Sequence, residues 1–470
     1  MGVKGLVSKG LLLACLVLPL SPALAEPARI PDTAMALAAE LRKRALDSRL
    51  SYEIVESLTT EVGPRLPGSP GDAAAVAWAE AKLAALGFDR VWTEPVTIPA
   101  WERGQAHAHT TSPFPQPLHV TALGNSVPTP DGGLQAEVAF FPSLEALQAA
   151  PPDSLAGKVA YVGQRMWKTQ DGSSYGAVVP MRSKGAAEAA KRGAVAVLIR
   201  SVGTDSRRFP HTGVMSYAEG VPRIPVAALS NPDADQLERL ARYGKPVKVH
   251  LDLTPRTGPA TQTRNVIAEI RGREKPEEII LIGAHLDSWD LGTGAVDDGA
   301  GVGVVTAAAR LIRDLPQRPR RTIRVVLFAA EEIGLLGAKA YAAAHADELP
   351  RHMLATEADF GAGRVWRLET RFGPESLPLA DRFMSALMPL GIAKGGNEAH
   401  GGPDIGPLRA AGVPVITLTQ DGTDYFDLHH TADDTLDKID PAALAQVTAA
   451  YAVAAYLAAE MEGNLRPAGE

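Results

Sequence analysis

Histidine and carboxylate side chains collect in five short stretches in the second half of this chain. The stretches are GAHLDS, GAVDDGAG, AAEEIGLLGA, EADFG and HHTADDT. Imidazole and carboxylate groups, with no thiolate beside them, are ligands that zinc and similar divalent ions take in proteins. Carboxylates that crowd together repel one another, and cations of high charge offset that repulsion. The composition of these stretches therefore predicts a metal centre.

The acids and histidines follow apolar runs that are typical of buried strands, at the point where each run ends. The carboxyl ends of strands in an open α/β sheet form the edge where ligands bind. The residues that we place at this edge are His285, Asp287, Asp290, Asp297, Asp298, Glu331, Glu332, Glu357, Asp359, Asp421, Asp424, His429, His430 and Asp434. A single aspartate of this kind more often caps a helix, and that alternative stays open for Asp298. Four such strand ends together favour metal binding.

Two histidines and three acids suffice for two ions that share one bridging carboxylate. Ions in such pairs lie ~3.5–4 Å apart, where they polarise a carbonyl and activate a water molecule. The doublet of Glu331 and Glu332 suits a division of roles between its members. One carboxylate binds metal, and its neighbour is free to take the proton of the water.

Alternating strand and helix patterns surround these residues and predict an α/β fold. From TRNVIAEI onward, apolar strands alternate with amphipathic helices, which indicates a doubly wound sheet covered on both faces. Residues 132–255 have a strand–helix alternation of their own without clustered acids, and we predict that they form an inserted small α/β domain. The catalytic domain then comprises residues 26–131 and 256–470.

Length, charge and the N-terminal residues limit the class of protein. A chain of 470 residues predicts two domains or one domain with an insertion. The net charge of −7 argues against a nucleic-acid partner. Two lysines, an apolar run and a small-residue motif predict a cleaved secretory signal over residues 1–25, which ends at Ala25; a lipoprotein signal at Cys15 is the alternative.

The apolar run of this signal is too short to span a bilayer comfortably, so we expect no stable membrane insertion. Cleavage after Ala25 would leave a protein without cysteine. A secreted or periplasmic protein that uses neither disulfides nor thiol chemistry is therefore expected.

With its five motifs in this order, the chain resembles the co-catalytic zinc exopeptidases of the bacterial aminopeptidase type, peptidase family M28. Within that family PHTG, GGPDIGP and YFDLHHT resemble the plasma glutamate carboxypeptidase branch most closely. The resemblance implies a doubly wound mixed-sheet zinc-exopeptidase domain of the phosphorylase/hydrolase-like type. It also implies that the insertion is a protease-associated domain.

The resemblance implies two zinc ions per chain and a set of five ligands. These ligands are His285, Asp297, Glu332, Asp359 and His430, with His429 as the alternative to His430. Asp297 would bridge the two ions, and its peptide bond to Asp298 is a candidate for the cis form. His285 and Asp359 would bind the first ion, and Glu332 the second.

The resemblance also implies the acid–base groups. Glu331 would be the general base that works with a metal-bridging hydroxide, and Asp287 would orient the ring of His285. Four further candidates could shape a substrate pocket: Tyr425, Asp424, Asp404 and His211. The alternatives are a core position for the tyrosine, a turn position for Asp404 and a surface-loop position for His211.

We therefore expect a secreted two-zinc metallo-exopeptidase that hydrolyses dipeptides or short peptides with a free N-terminus. Its partners would be small peptide substrates, and a homodimer is compatible with this interpretation. One alternative is a non-catalytic binding or receptor module on the same fold, but such relatives lack ligands that this chain has. A second is a single-zinc enzyme of the glutaminyl cyclase type, which the doubled ligand set disfavours.

Overall fold

The computed structural model describes residues 1–3, 5 and 28–466. Ala25 and Cys15, on which the two predictions of an export signal depend, lie outside the described residues. The helices of the described chain are α1 (Asp32–Leu46), α2 (Leu50–Glu61), α3 (Pro70–Ala85), α4 (Leu144–Gln148), α5 (Ser173–Ala190), α6 (Asn231–Ala241), α7 (Ala300–Arg313), α8 (Leu336–Ala344), α9 (Leu377–Leu387), α10 (Gly406–Ala410) and α11 (Pro441–Glu460). The strands are β1 (Arg90–Ile98), β2 (Trp101–Glu102), β3 (Ala106–Ser112), β4 (Gln116–Leu118), β5 (Val120–Ala122), β6 (Leu134–Phe141), β7 (Val159–Val162), β8 (Ala196–Arg200), β9 (Val226–Leu229), β10 (Lys248–Leu253), β11 (Arg256–Thr257), β12 (Thr261–Ile270), β13 (Lys275–His285), β14 (Arg321–Phe328), β15 (His352–Glu357), β16 (Val365–Arg371), β17 (Ala393–Lys394) and β18 (Val415–Gln420).

An eight-stranded mixed sheet forms the centre of the molecule, with the order β1-β12-β14-β13-β15-β18-β16-β17. Strand β13 runs parallel to β14 and β15, and β15 runs parallel to β18. Strand β12 runs antiparallel to β1 and β14, and β16 runs antiparallel to β18 but parallel to β17. Every residue of β14 and β15 is buried, as expected for parallel strands covered on both faces. The predicted mixed α/β fold is confirmed.

Helix α11 forms the core of one helical layer and packs against α1 and α7. It begins as predicted, because the carboxylate of Asp440 accepts a hydrogen bond of 2.9 Å from the N–H of Ala442, with Pro441 in the first turn. By length and composition it is the one helix of the described chain that could cross a bilayer. Almost all of its residues are buried inside the protein, as in the core helix of a soluble domain.

A second eight-stranded sheet has the order β4-β3-β10-β6-β7-β8-β9-β5, and β6 to β9 run parallel. We call residues 106–253, which carry this sheet with α4, α5 and α6, the inserted lobe. The lobe begins before the predicted boundary at residue 132, because β3, β4 and β5 join its sheet. β4 and β5 have only three residues each, and prolines lie in β4 and directly after β3, so the sequence did not show which sheet these strands enter. Assignment of the lobe to the protease-associated class stays a prediction.

Asp290 joins the glycine-rich segment after β13 to the inserted lobe. Its carboxylate accepts hydrogen bonds of 2.9 and 3.0 Å from Nε of Arg103. The same guanidinium donates to the hydroxyl groups of Thr212 (2.8 Å) and Thr121 (3.1 Å). This strand-end acid is therefore linked to the lobe through Arg103.

Candidate metal centre

The parallel strands bring the predicted residues to one edge of the central sheet. His285 ends β13, the two glutamates follow β14, Asp359 follows β15, and the paired histidines come after β18. They open into a cavity of about 420 Å³ between this edge and the inserted lobe. Its lining includes Tyr175, Arg182, Asp297, Glu331, Glu332, Asp359, Tyr425, His429 and His430.

One group of ligand atoms forms around His285. Its Nε2 lies 3.1 Å from Oδ1 of Asp297 and 3.5 Å from Oδ1 of Asp359. One donor atom from each of the three residues lies within 4.8 Å of the others, which is a separation that one ion can span.

A second group forms on the other side of Asp297. Nε2 of His430 lies 2.9 Å from Oε2 of Glu332 and 3.4 Å from Oδ2 of Asp297. Nε2 of His429 lies 3.7 Å from the same Oδ2, and donor atoms of Asp297, His429 and His430 again fall within 4.8 Å. Asp297 belongs to both groups and turns a different oxygen toward each, which is the arrangement of a bridging carboxylate.

Two buried oxygens in these groups support the binding of cations. Oδ2 of Asp297 and Oε1 of Glu332 have no hydrogen-bond partner among the described residues. Burial of a carboxylate oxygen without a partner costs free energy, which a cation at that oxygen offsets. The donor set is imidazole and carboxylate only, as zinc and similar ions prefer. The residues present therefore fit a pair of divalent metal ions.

The second nitrogens of the paired histidines favour His430 as the ligand. Nδ1 of His430 lies 3.2 Å from the carbonyl oxygen of Thr212, whereas Nδ1 of His429 has no hydrogen-bond partner in the described chain. A histidine that binds metal through one nitrogen usually donates its other N–H to such an acceptor. Burial lowers the pKa of both imidazoles well below the usual value, which keeps them neutral as metal ligands must be.

Gly301 and Asp298 pack closely together at the start of α7. A side chain on Gly301 would place its Cβ 1.9 Å from the carbonyl oxygen of Ala358 and 2.4 Å from both carboxylate oxygens of Asp298. The Asp298 carboxylate accepts hydrogen bonds from the N–H groups of Gly301 (3.0 Å) and His285 (3.1 Å). It thus supports the start of α7, as the capping alternative predicted, and also the end of β13. The peptide bond between Asp297 and Asp298 is cis, as expected from the resemblance.

Asp287 holds the two glutamates more directly than it holds the histidine. Its carboxylate accepts hydrogen bonds from the N–H groups of Glu331 (3.1 Å) and Glu332 (3.2 Å). Nδ1 of His285 lies 2.9 Å from the carbonyl oxygen of Asp287 but 3.7 Å from its Oδ1. The prediction that this carboxylate orients the histidine ring is therefore corrected, because the two N–H groups after β14 occupy it and the backbone carbonyl orients the ring.

Burial and mutual repulsion set the charge of the acids. Burial raises the pKa of Glu331 and Glu332 well above the usual value, and nearby carboxylates such as Asp359 and Asp297 raise it further. Burial would also raise the pKa of Asp297, but the hydrogen bond from His285 and the charge of His430 lower it below the usual value. Bound cations would allow all of these acids to ionise together.

Of the two pocket residues predicted near the last motif, one lines the cavity and the other is exposed to solvent. Tyr425 is buried and lines the cavity, as predicted. The side chain of Asp424 is 82% exposed and forms an ion pair of 2.6 Å with Lys168 of the inserted lobe. The prediction that Asp424 lines the pocket is therefore wrong, because the turn that points the tyrosine inward points its neighbour outward.

The other two pocket candidates are buried beside the site and are not among the residues that line the cavity. The N–H of Asp404 donates to Oε2 of Glu357 at 2.8 Å, and burial raises the pKa of Asp404 well above the usual value. The ring of His211 is only 1% exposed and bonds to the carbonyl of His429. Its surface-loop alternative is wrong as well.

Sequence reasoning missed two side chains that α5 contributes to the cavity, Arg182 and Tyr175. The pattern MRSKGAAEAAKRG predicted an ordinary helix, in which an arginine is most often solvated. Only the placement of the inserted lobe over the sheet edge shows that Arg182 faces the metal ligands.

Comparison with known proteins adds four observations. The profile of peptidase family M28 matches residues 265–455. Carboxypeptidase Q from Mus musculus is 38% identical over 415 residues, which are 88% of this chain and 87% of that protein. The crystal structure of a peptidase M28 precursor from Shewanella amazonensis has 53% identity and a TM-score of 0.92, and the match covers 93% of this chain and 99% of that one. A zinc aminopeptidase from Bacillus subtilis shares the fold, with a TM-score of 0.61, 19% identity and coverage of 87% and 94%.

Proposed function

This chain belongs to peptidase family M28, as its motifs indicated, and on that premise we propose that it is a two-zinc exopeptidase that hydrolyses dipeptides and short peptides. One observation carries the proposal. Two groups of metal-ligand atoms share Asp297 at the wall of a cavity that Glu331 also lines. A doubled site of this kind suits hydrolysis better than a single-zinc cyclisation, and the complete ligand set disfavours a non-catalytic module.

The chemistry divides between the ions and Glu331. When bound by His285, Asp297, Glu332, Asp359 and His430, the two zinc ions polarise the scissile carbonyl and lower the pKa of water. Glu331 lines the same cavity, and its backbone is held by the carboxylate of Asp287. In this position its carboxylate takes the proton of the attacking water and returns it to the leaving amine.

Arg182 suggests which part of the substrate enters the cavity. Its side chain is buried, and its Nε has no hydrogen-bond partner in the described chain. Nη2 donates to the hydroxyl of Tyr175 at 2.8 Å, and a Cβ on Gly213 would lie 2.3 Å from Nη1, so the guanidinium is held between them. Nη1 lies 3.5 Å from the carbonyl oxygen of Thr212 and 3.4 Å from Nδ1 of His430. Among the described residues no carboxylate pairs with Arg182, although buried arginines usually have an acidic partner.

A free substrate carboxylate would supply the missing partner, because guanidinium and carboxylate form strong charge-assisted hydrogen bonds. The carboxylates that line the same cavity would complement a protonated substrate amine. A cavity of this size that binds both a substrate carboxylate and a substrate ammonium group is best suited to dipeptides with two free ends. The protease-associated class of the inserted lobe, and export through the signal that ends at Ala25, complete the proposal.

Hydrolysis of dipeptides tests this function directly. Purified protein should cleave dipeptides with free ends, and removal of the metal by a chelator should abolish cleavage, which added zinc should restore. Acetylation of the substrate amine should lower kcat/KM, because the carboxylates that line the cavity then lose their positively charged partner. Release of amino acids would be followed by chromatography. Cleavage that persists after complete metal removal would contradict the proposal.

Replacement of Arg182 by methionine should change substrate preference. We expect kcat/KM for a free dipeptide to fall by about 10- to 100-fold, the usual value of a hydrogen bond to a charged group. The corresponding dipeptide amide has no carboxylate for Arg182 to bind. The variant should therefore cleave this amide almost as well as the parent does. Lys184→Met, which removes an exposed cation from the same helix, is the control. Equal losses on both substrates would assign Arg182 a structural role.

A further inference from the structure

We propose that the inserted lobe completes the metal centre, with His211 as a positioning residue that holds the metal-binding turn through its backbone. The inference rests on the proposed function only in that it requires the metal site. We call residues 424–434, which carry the paired histidines, the metal loop. The lobe contacts this loop with backbone and side-chain groups, so the ligand geometry depends on both parts of the molecule.

Two consecutive residues of the lobe pair with the two consecutive histidines. Nδ1 of His211 lies 2.7 Å from the carbonyl oxygen of His429. The N–H of Thr212 donates to the carbonyl oxygen of His430 at 3.0 Å, and the carbonyl of Thr212 lies 3.2 Å from Nδ1 of that histidine. Both the backbone and the ring of His430 are therefore fixed from the lobe.

His211 is itself rigidly held. Its Nε2 lies 2.5 Å from Oδ2 of Asp205, whose other oxygen accepts a hydrogen bond of 2.6 Å from the N–H of Arg207. The backbone N–H of His211 donates to Oγ of Ser201 at 2.8 Å, and a Cβ on Gly203 would lie 2.2 Å from the imidazole. A carbonyl oxygen only accepts hydrogen bonds, so Nδ1 carries the proton that it donates to the metal loop.

The metal loop needs this support because its own conformation is unfavourable. His430 has a φ of +62°, in the left-handed region that residues with a side chain adopt at a cost of about 1–2 kcal/mol. The rings of His429 and His430 stack with their centroids 3.5 Å apart. Without the bonds from the lobe, the loop could relax, and Nε2 of His430 would leave its place beside Glu332.

Contacts farther along the loop show that the attachment is continuous. The N–H of Thr204 donates to the carbonyl of Phe426 at 3.0 Å, and its hydroxyl donates to Asp427 at 2.7 Å. Arg207 forms an ion pair with Asp433. The segment around His211 is therefore a clamp on the metal loop and not the edge of a lid that moves away from it.

The test measures zinc binding by competition with a chromophoric chelator on the full chain, which needs no substrate. In His211→Ala we expect the more weakly bound zinc to lose about 10- to 100-fold in affinity, the usual effect of a residue that supports a ligand. His211→Asn, which keeps a donor near the position of Nδ1, should recover part of the loss. His107→Ala, at an exposed histidine of the same lobe, should bind zinc like the parent.

A structural role would appear differently. It would lower the Tm of the variants while zinc affinity, measured well below Tm, stayed within twofold of the parent, and that result would overturn the inference. Asp205→Asn, expected to weaken zinc binding less than His211→Ala, keeps the test possible if the alanine variant does not fold. If the parent itself bound no zinc, the proposed function would fail. Equally tight binding of zinc by the parent and by His211→Ala would refute only the positioning role of His211.

Discussion

Replacement of Glu331 by glutamine is expected to lower kcat by about 10²- to 10⁴-fold, the usual contribution of a general acid–base group, while the protein still binds two zinc ions. Glutamine has nearly the size of glutamate but accepts no proton at neutral pH. The backbone bond from residue 331 to Asp287 does not involve the side chain, so the turn should keep its shape. Steady-state kinetics on a dipeptide and metal analysis of the same sample measure the two quantities.

The neighbouring residue supplies a matched control. Glu332→Gln removes a carboxylate that lies 2.9 Å from Nε2 of His430, so it should lose zinc as well as activity. Substrate binding should change little in Glu331→Gln, with KM within a few fold of the parent. Near-normal turnover in Glu331→Gln would show that another group takes the proton. Loss of zinc equal to that in Glu332→Gln would show instead that Glu331 is itself a metal ligand.

Sequence patterns located most of the metal centre because its residues follow strands that lie side by side and parallel. The carboxyl ends of β13, β14 and β15 meet at one edge, so His285, Glu332 and Asp359 had to converge once the strands were recognised. Asp297 follows on the loop after β13. For these positions local sequence and the rule of the sheet edge are sufficient.

The same reasoning could not predict which side chains of the inserted lobe contact the site. Arg182 reaches the site only because the lobe folds over the sheet edge, and no spacing in the sequence encodes that placement. His211 was a candidate for the pocket, but its contact with the backbone of His429 was not predicted. The sequence also does not show in which direction a side chain points in a short turn. Tyr425 and Asp424 were both predicted to line the pocket, and only Tyr425 does so. Residues that act across two lobes need tertiary structure to be found.

The position of Asp297 in both groups of ligand atoms leads to the second large effect. In Asp297→Asn we expect the affinity for zinc to fall by more than about 100-fold, since removal of groups that only support a ligand already costs 10- to 100-fold. The side chain loses its charge but keeps its size, and both ligand groups contain it. Zinc content after dialysis should drop below one ion per chain, and dipeptide hydrolysis should be lost.

Asp381→Asn is the control for this experiment, because it removes an exposed carboxylate of α9 that pairs with Lys394 and lies outside both the metal loop and the cavity lining. Its zinc content and kcat/KM should match those of the parent. If Asp297→Asn instead kept one tightly bound zinc ion with measurable hydrolysis, the carboxylate would serve a single ion. The two groups of ligand atoms would then be separate sites, and the shared-carboxylate arrangement on which the proposed function depends would have to be abandoned.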